Sequence, residues 1–493
     1  MTKDTSNTTK VLKGMSSQTI VTITLGVVEI VSFSIMSRLL GQRDFGYYAA
    51  IVAIGAVFQS LADAGIGSAV VQRKELNDRF VNNAFTLSLL FGVGVAVVMC
   101  ALSKVLATGV ADASMTTPLR IFSVTLICHC IASVNTSLLQ REMRFMTIGV
   151  INLISLVVTT AVAIVLALQG YGYYAILTKA VLASFLTMIM SWIASKRVYR
   201  LAFDRDEYGR IFGFGGWLMA SAVFRNLSHQ VDRLLMKSLF SIETLGMYTR
   251  PHEFITNITG KVNQIYDSVL FPVLSSIQDS RERIRFSFSQ TLYLLNVGAM
   301  LLSLAFLFCH NLIIRVFFGE QWLNVATLFA VMSAWSVIRI NGRLGDVYLR
   351  SLAMTRTQFI LRVCQFASVT VFILIGYRWG LTALAISSMT GYSIVMLAKN
   401  AIIAKRIGLP IKEMLANMLS AWRPLIWLAP IYAACSIALP ETLAGSILST
   451  VVFAIAATVT YLLFPGLVGQ RYKDEYAKIR LVIASKINNM RGK

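Results

Sequence analysis

Thr147-Ile-Gly-Val-Ile-Asn-Leu-Ile-Ser-Leu-Val-Val-Thr-Thr-Ala-Val-Ala-Ile-Val-Leu-Ala-Leu168 contains no ionisable side chain. As an α-helix rising 1.5 Å per residue, the run covers the roughly 30 Å hydrocarbon core of a bilayer. Arg141 and Arg144 stand just before it, and the uncharged turn Gln169-Gly170-Tyr171-Gly172 follows it. This is the pattern of a spanning helix with a basic loop on one side of the membrane and a short neutral turn on the other.

Working outward with the same ruler gives fourteen candidate spans, near 14–37, 45–71, 84–106, 118–139, 147–168, 172–194, 211–236 and 246–271, then 287–308, 325–345, 357–376, 380–403, 423–439 and 446–467. The fold class is therefore all-α integral membrane. The composition agrees: 56% of the residues are hydrophobic and 14% charged, against about 25% charged in soluble domains. A mean hydropathy of +0.68 cannot belong to one soluble core.

The loops set the orientation. Segments 1–13, 72–83, 140–146, 196–210, 273–286, 343–356, 405–423 and 471–493 together carry 30 Lys and Arg residues, and the intervening turns carry 6. Positive charge gathers on the cytoplasmic side, so both termini are expected there, in a cytoplasmic (inner) membrane crossed an even number of times. The net charge of +22 is then a loop property rather than a nucleic-acid footprint. The first apolar stretch exceeds a signal h-region of about 7–15 residues and is expected to stay as helix 1.

A short pattern recurs after 200 residues. Asp44-Phe-Gly-Tyr-Tyr48 follows the first span and Thr244-Leu-Gly-Met-Tyr248 follows the seventh. Lys13-Gly14 and Gly215-Gly216 open those same spans. Six intervening helices preserve orientation, so the repeat is parallel. The expected organisation is a cytoplasmic N-terminus (1–13), an N-lobe of six helices (14–195) and a linker (196–210). A C-lobe of six helices (211–404), two further helices (405–468) and a basic tail (469–493) complete it. Two lobes about a central site is a recurrent transporter plan.

The chain lacks a P-loop, and its loops are too short to build a catalytic pocket, so an enzyme is not expected. The six cysteines all lie in apolar stretches. Cys128, His129 and Cys130 are adjacent, but neighbours on a helix point about 100° apart and do not grip one metal. No metal or cofactor is expected.

The informative residues are ionisable groups inside spans. Arg225, His229 and Arg233 recur at i, i+4 and i+8 in the seventh span, with Asp232 beside them. The eighth span carries Arg250, Glu253, Asn257 and Lys261 along one face, and Pro251. Such stripes line a wet cavity or meet anionic groups. Arg225, His229, Arg233, Arg250 and Lys261 are the candidate lumen residues, and their charge suits an anionic cargo. Glu29, Asp63 and Asp232 are candidates for ion coupling or for internal ion pairs, such as Glu29 or Asp63 with Lys179. Arginine binds phosphate and carboxylate bidentately, which suits a diphosphate-linked or acidic sugar.

Ten short motifs recur in an order that resembles one family. They are Ser37-Arg38-Leu39-Leu40, Phe45-Gly46, Asp63-Ala-Gly-Ile-Gly67, Val71-Gln-Arg-Lys74 and Gln140-Arg-Glu-Met-Arg-Phe145, then Phe212-Gly-Phe-Gly-Gly-Trp217, Asp232-Arg-Leu-Leu235, Leu245-Gly-Met-Tyr248, Leu270-Phe-Pro-Val-Leu274 and Phe318-Gly-Glu-Gln-Trp322. Spread over roughly residues 1–400, the series resembles the polysaccharide flippases of the multidrug/oligosaccharidyl-lipid/polysaccharide (MOP) superfamily, in particular the colanic-acid-exporter-like lipopolysaccharide biosynthesis proteins. The resemblance implies lobes that open alternately and a cargo of undecaprenyl-diphosphate-linked oligosaccharide, moved to the outer leaflet of a bacterial inner membrane. It also implies a polysaccharide polymerase and co-polymerase as partners, besides membrane lipid. It assigns no residue roles here; those rest on the physics above. The rival readings are a drug/cation antiporter of the same fold, which would want an acidic lumen, a peptidoglycan-precursor lipid flippase, and a membrane glycan polymerase or ligase, which would want a large outside loop.

Overall fold

The computed structural model describes residues 21–468, 472–474 and 476–477, except 22, 64, 74–75, 110–111, 278–279, 353 and 440–441. Most side chains of 205–222 and 265–276 lie outside the description, and with them the motif Phe212–Trp217 and the Gly215-Gly216 start of the seventh span. So do Lys13-Gly14, the start of the first span and most of the basic tail.

Every regular element among the described residues is helical. Helix α1 occupies 23–39. It is followed by α2 (Gln42–Asp63), α3 (Ile66–Gln72), α4 (Asp78–Gly109), α5 (Thr116–Arg141), α6 (Phe145–Leu168), α7 (Tyr173–Ser195), α8 (Arg205–Leu239) and α9 (Ile242–Ser276). Then come α10 (Arg281–Phe308), α11 (His310–Ile313), α12 (Ala326–Met332), α13 (Trp335–Ser351), α14 (Thr355–Gly376) and α15 (Leu381–Ile407). The last three are α16 (Ile411–Ser420), α17 (Leu425–Ala438) and α18 (Leu443–Thr458).

Among the described residues nine helices are long and apolar enough to cross a membrane. A tenth span is broken: Glu320–Met332 and Trp335–Ser351 meet at 46°. Helices α8 and α9 have 35 residues each, longer than a bilayer core is thick, but they are more polar than those nine. The expected span 423–439 is a 14-residue helix with Pro430 inside it.

The contacts divide the chain into two compact units. The first is Met1–Lys261 with Phe317–Trp322 and Arg356–Gly391; the second is Val262–Val316, Leu323–Thr355 and Tyr392–Lys493.

In the first unit, Ile66, Val70, Phe80, Phe85, Val134 and Leu138 pack into one apolar core. The connector after α7 is strapped to α4. The Arg200, Ala202 and Asp204 amides donate to Asn82 Oδ1, Thr86 Oγ1 and Asn83 Oδ1 at 3.2, 3.0 and 2.9 Å. Asn82, Asn83 and Thr86 share one turn of α4, so a polar patch at its start captures a backbone that has no helix of its own.

The two copies of the repeated pattern meet in this unit. A Cβ on Gly46 would stand 1.9 Å from the Ile242 carbonyl oxygen. A Cβ on Gly246 would stand 1.9 Å from the Gln42 carbonyl oxygen. Each glycine thus faces the residue four before the other, and the starts of α2 and α9 cross backbone to backbone about a local two-fold. Only glycine permits that approach. Beside the crossing, Tyr47 donates to Asp112 Oδ2 at 2.6 Å. Hydrogen bonds from the Ser114 hydroxyl, then from Tyr47, hold the Asp112 carboxyl below the usual carboxylate range. That contribution to stability is present above the ordinary carboxylate pKa and is lost as pH falls through the lowered value.

In the second unit, Asn296 and Asn341 exchange two amide hydrogen bonds of 2.9 Å between α10 and α13. Lys399 of α15 pairs with Asp346 of α13 at 2.7 Å, both buried. Tyr293, Val297, Ala421, Tyr461 and Val468 form a separate apolar cluster.

The glycine crossing gives the first prediction. Gly46→Ala and Gly246→Ala each overpack it and cost about 1–3 kcal/mol, read as a lower thermal unfolding midpoint in detergent. Gly94→Ala, whose Cβ would meet nothing within 4 Å, leaves the midpoint unlowered.

Candidate functional site

Both polar stripes lie on continuous helices, and α9 runs through Pro251 without a break. Along α8 the stripe grades from exposed Arg225 through half-buried His229 to buried Arg233. Asn226 of the same helix donates to Ser60 Oγ of α2 at 2.5 Å. The Ser228 hydroxyl reaches the Arg362 carbonyl at 3.2 Å.

Arg250 is the most enclosed cation of α9. Its Nε and Nη2 donate to Ser37 Oγ at 3.0 and 2.7 Å, and Nη2 also donates to the Phe33 carbonyl at 2.8 Å. Its guanidinium carbon lies 3.4 Å from the Phe33 ring centroid and 3.9 Å from that of Phe45. Nη1 faces Glu253 Oε2 at 3.3 Å. Glu253 Oε1 in turn lies 3.9 Å from Arg233 Nη2. One acid between two guanidinium groups leaves the trio net positive, with both arginines buried and Glu253 partly exposed. Arg233 also donates to Gln230 Oε1 at 3.1 Å. Asp232 accepts from the Tyr248 hydroxyl at 2.9 Å and from the Arg233 backbone N–H at 2.9 Å.

Lys261 lies three turns further along α9. Its Nζ sits 3.0 Å from Glu29 Oε2 of α1, with the side chains 27% and 36% exposed. The same pair of helices is therefore joined by a buried guanidinium at one level and a partly exposed ion pair at another.

The expected pairing of Lys179 with Glu29 or Asp63 is corrected. Glu29 takes Lys261, Asp63 takes His129 at 2.8 Å, and Lys179 donates to Ser32 Oγ at 2.5 Å. Ser32 in turn shares a 3.0 Å hydrogen bond with Thr160. The partners follow from which helix faces pack together, which spacing along one helix does not specify. Cys130 Sγ points to the Ala62 carbonyl at 3.5 Å, away from the His129–Asp63 pair.

One feature went unread in the sequence. The α1 helix ends near Ser37, and its last carbonyls are capped from far along the chain. Trp322 Nε1 donates to the Ser37 carbonyl at 2.9 Å. Gln321 Nε2 donates to the carbonyls of Ser37 and Leu40 at 2.7 and 3.3 Å. The motifs Ser37–Leu40 and Phe318–Trp322 are thus two halves of one contact. The signal available was a Gln-Trp pair, both side-chain N–H donors, after a Gly with φ of +97°.

These helices, their two polar stripes and the absence of strands among the described residues define a class: an all-helical membrane protein with the fold seen in transporters of the MOP superfamily. The structure is similar to that of the lipid II flippase MurJ in an inward closed conformation. The TM-score is 0.69 at 15% identity, over 90% of this chain and 98% of that one. It is also similar to a multidrug resistance MATE family transporter of the MOP superfamily in an inward-facing conformation, with a TM-score of 0.63 at 14% identity over 79% and 98% of the two chains. The chain belongs to the polysaccharide biosynthesis protein family, whose profile matches residues 35–327. Over 336 residues it is 23% identical to the lipopolysaccharide biosynthesis protein WzxC of Escherichia coli strain K12, which covers 68% of either chain.

Two variants separate the buried contact from the partly exposed one. Arg250→Met removes the charged donor that Ser37 and Glu253 share, leaving the Phe33 carbonyl to the Ser37 hydroxyl and Glu253 to Arg233, and costs about 3–5 kcal/mol, as removing one partner of a buried charged network does. Glu29→Gln costs under about 1 kcal/mol, as expected for a partly solvated pair. Unfolding midpoints in detergent measure both.

Proposed function

We propose that this chain moves undecaprenyl-diphosphate-linked oligosaccharide from the cytoplasmic to the outer leaflet of a bacterial inner membrane. The observation that carries the reading is the net positive set of side chains on α8 and α9, within a polysaccharide biosynthesis family member. A diphosphate head group is doubly anionic and needs cations once it leaves water. Arginines supply them with bidentate geometry.

In this reading Arg225, His229 and Lys261 meet the head group. Arg233 and Arg250 hold positive potential behind them and stay bonded to the protein. Lys261 exchanges Glu29 for phosphate as the cargo enters, which makes the ion pair a competitor for cargo. The lipid tail stays in the bilayer. The full architecture would be fourteen spans in two six-helix lobes plus two helices, with both termini cytoplasmic, working by alternating access. A polymerase and co-polymerase would take up the delivered units.

The test is complementation of a deletion strain. Arg225→Gln/Lys261→Gln should abolish surface polysaccharide and leave lipid-linked intermediates on the inner leaflet, at wild-type protein levels. Normal polysaccharide from that variant would overturn the residue assignment. Drug sensitivity on deletion, with polysaccharide unaffected, would favour the antiporter reading instead.

A further inference from the structure

Helix α16 has ten residues, Ile411–Ser420. At 1.5 Å per residue it is about 15 Å long, half the thickness of a bilayer core. It cannot cross. It is cut from α15 by Gly408, whose φ is +77°, and by Pro410, and from α17 by a turn ending in Pro424.

Its side chains divide into three faces at roughly 100° per residue. Met414, Asn417 and Met418 are buried, and Asn417 Nδ2 donates to Ser289 Oγ of α10 at 2.9 Å. Next around the helix, Ile411, Leu415 and Leu419 are 49%, 38% and 65% exposed. This apolar strip runs on through exposed Trp422 and Ile426 into the start of α17. The third face carries Lys412, Glu413 and Ser420, and Glu413 accepts from Arg285 of α10 at 3.2 Å. A helix with one face on protein, one apolar and bare, and one charged fits a single place: the boundary between lipid and water. A tryptophan at the end of the strip belongs at the same depth.

The charge around it selects the lipid. Lys405, Arg406, Lys412 and Arg423 are all exposed and flank the strip, with Glu413 the one acid in 405–423. Clustered basic residues beside an apolar strip attract anionic head groups.

We propose that α16 is an in-plane anchor that binds anionic phospholipid, its apolar strip among the first acyl carbons and Lys412 and Arg423 on lipid phosphate. This goes beyond the flippase reading and does not depend on it.

The test uses the full-length protein in nanodiscs of phosphatidylglycerol or phosphatidylcholine with bromine high on the acyl chains. The difference in fluorescence between wild type and Trp422→Phe isolates Trp422. The proposal expects that difference signal to be quenched by the bromines and not by iodide in the water. It expects stronger quenching in phosphatidylglycerol, falling to the phosphatidylcholine level in Lys412→Gln/Arg423→Gln. Quenching by iodide and not by bromine would overturn the proposal and leave the strip as a surface for a protein partner. Equal quenching of wild type in the two lipids would overturn the anionic assignment.

Discussion

A helix end leaves its last carbonyls without partners in the helix, and each one buried unbonded costs free energy. The end of α1 is such a place. Gln321 and Trp322 meet its carbonyls, and Arg250 meets that of Phe33 one turn earlier, with side-chain N–H groups brought from 200 and more residues away. The first unit is organised around this constraint. It draws α9 and the Phe318–Trp322 turn onto α1, and it buries a guanidinium that the Phe33 and Phe45 rings and Glu253 then accommodate. Replacing lost hydration by fixed partners is also what fixes the geometry, because a guanidinium fork tolerates little misalignment.

The cap and the ion pair on the same two helices differ in kind. Arg250 is buried and multiply bonded, while Lys261 and Glu29 are partly exposed. Water screens the second pair, so it can be exchanged at small cost. A charged ligand could replace Glu29 at Lys261 far more readily than it could replace Ser37 and Phe33 at Arg250. The polar stripes therefore hold two populations of charge, one structural in its bonding and one available for exchange.

Much of the fold was legible because hydropathy is a local property. The spans around 147–168 and 287–308 fall on α6 and α10, since no packing argument is needed to find a run without charges. The polar stripes were legible for the same reason: i, i+4 spacing on a helix is geometry. Partner choice was not. Asp63 finds His129 because of how α2 faces α5, and Lys179 finds Ser32 because of how α7 faces α1, and no spacing within a helix encodes that. The repeat at 44–48 and 244–248 lies between these cases. Its glycines could be matched at a spacing of 200, but that the two copies touch each other emerged only from the backbone approach at Gly46 and Gly246.

The strapped connector between α7 and α8 bears on how motion would travel. Three of its amides are bonded to side chains of a single turn of α4, and Arg197 adds an ion pair to Asp78 at 2.8 Å. A free stretch of chain would slacken and absorb any displacement. A stretch bonded at alternate residues behaves as a strut. Tilting α4 would carry the start of α8 with it, so the helix bearing Arg225 and Arg233 is geared to its neighbour rather than hung from a loose loop.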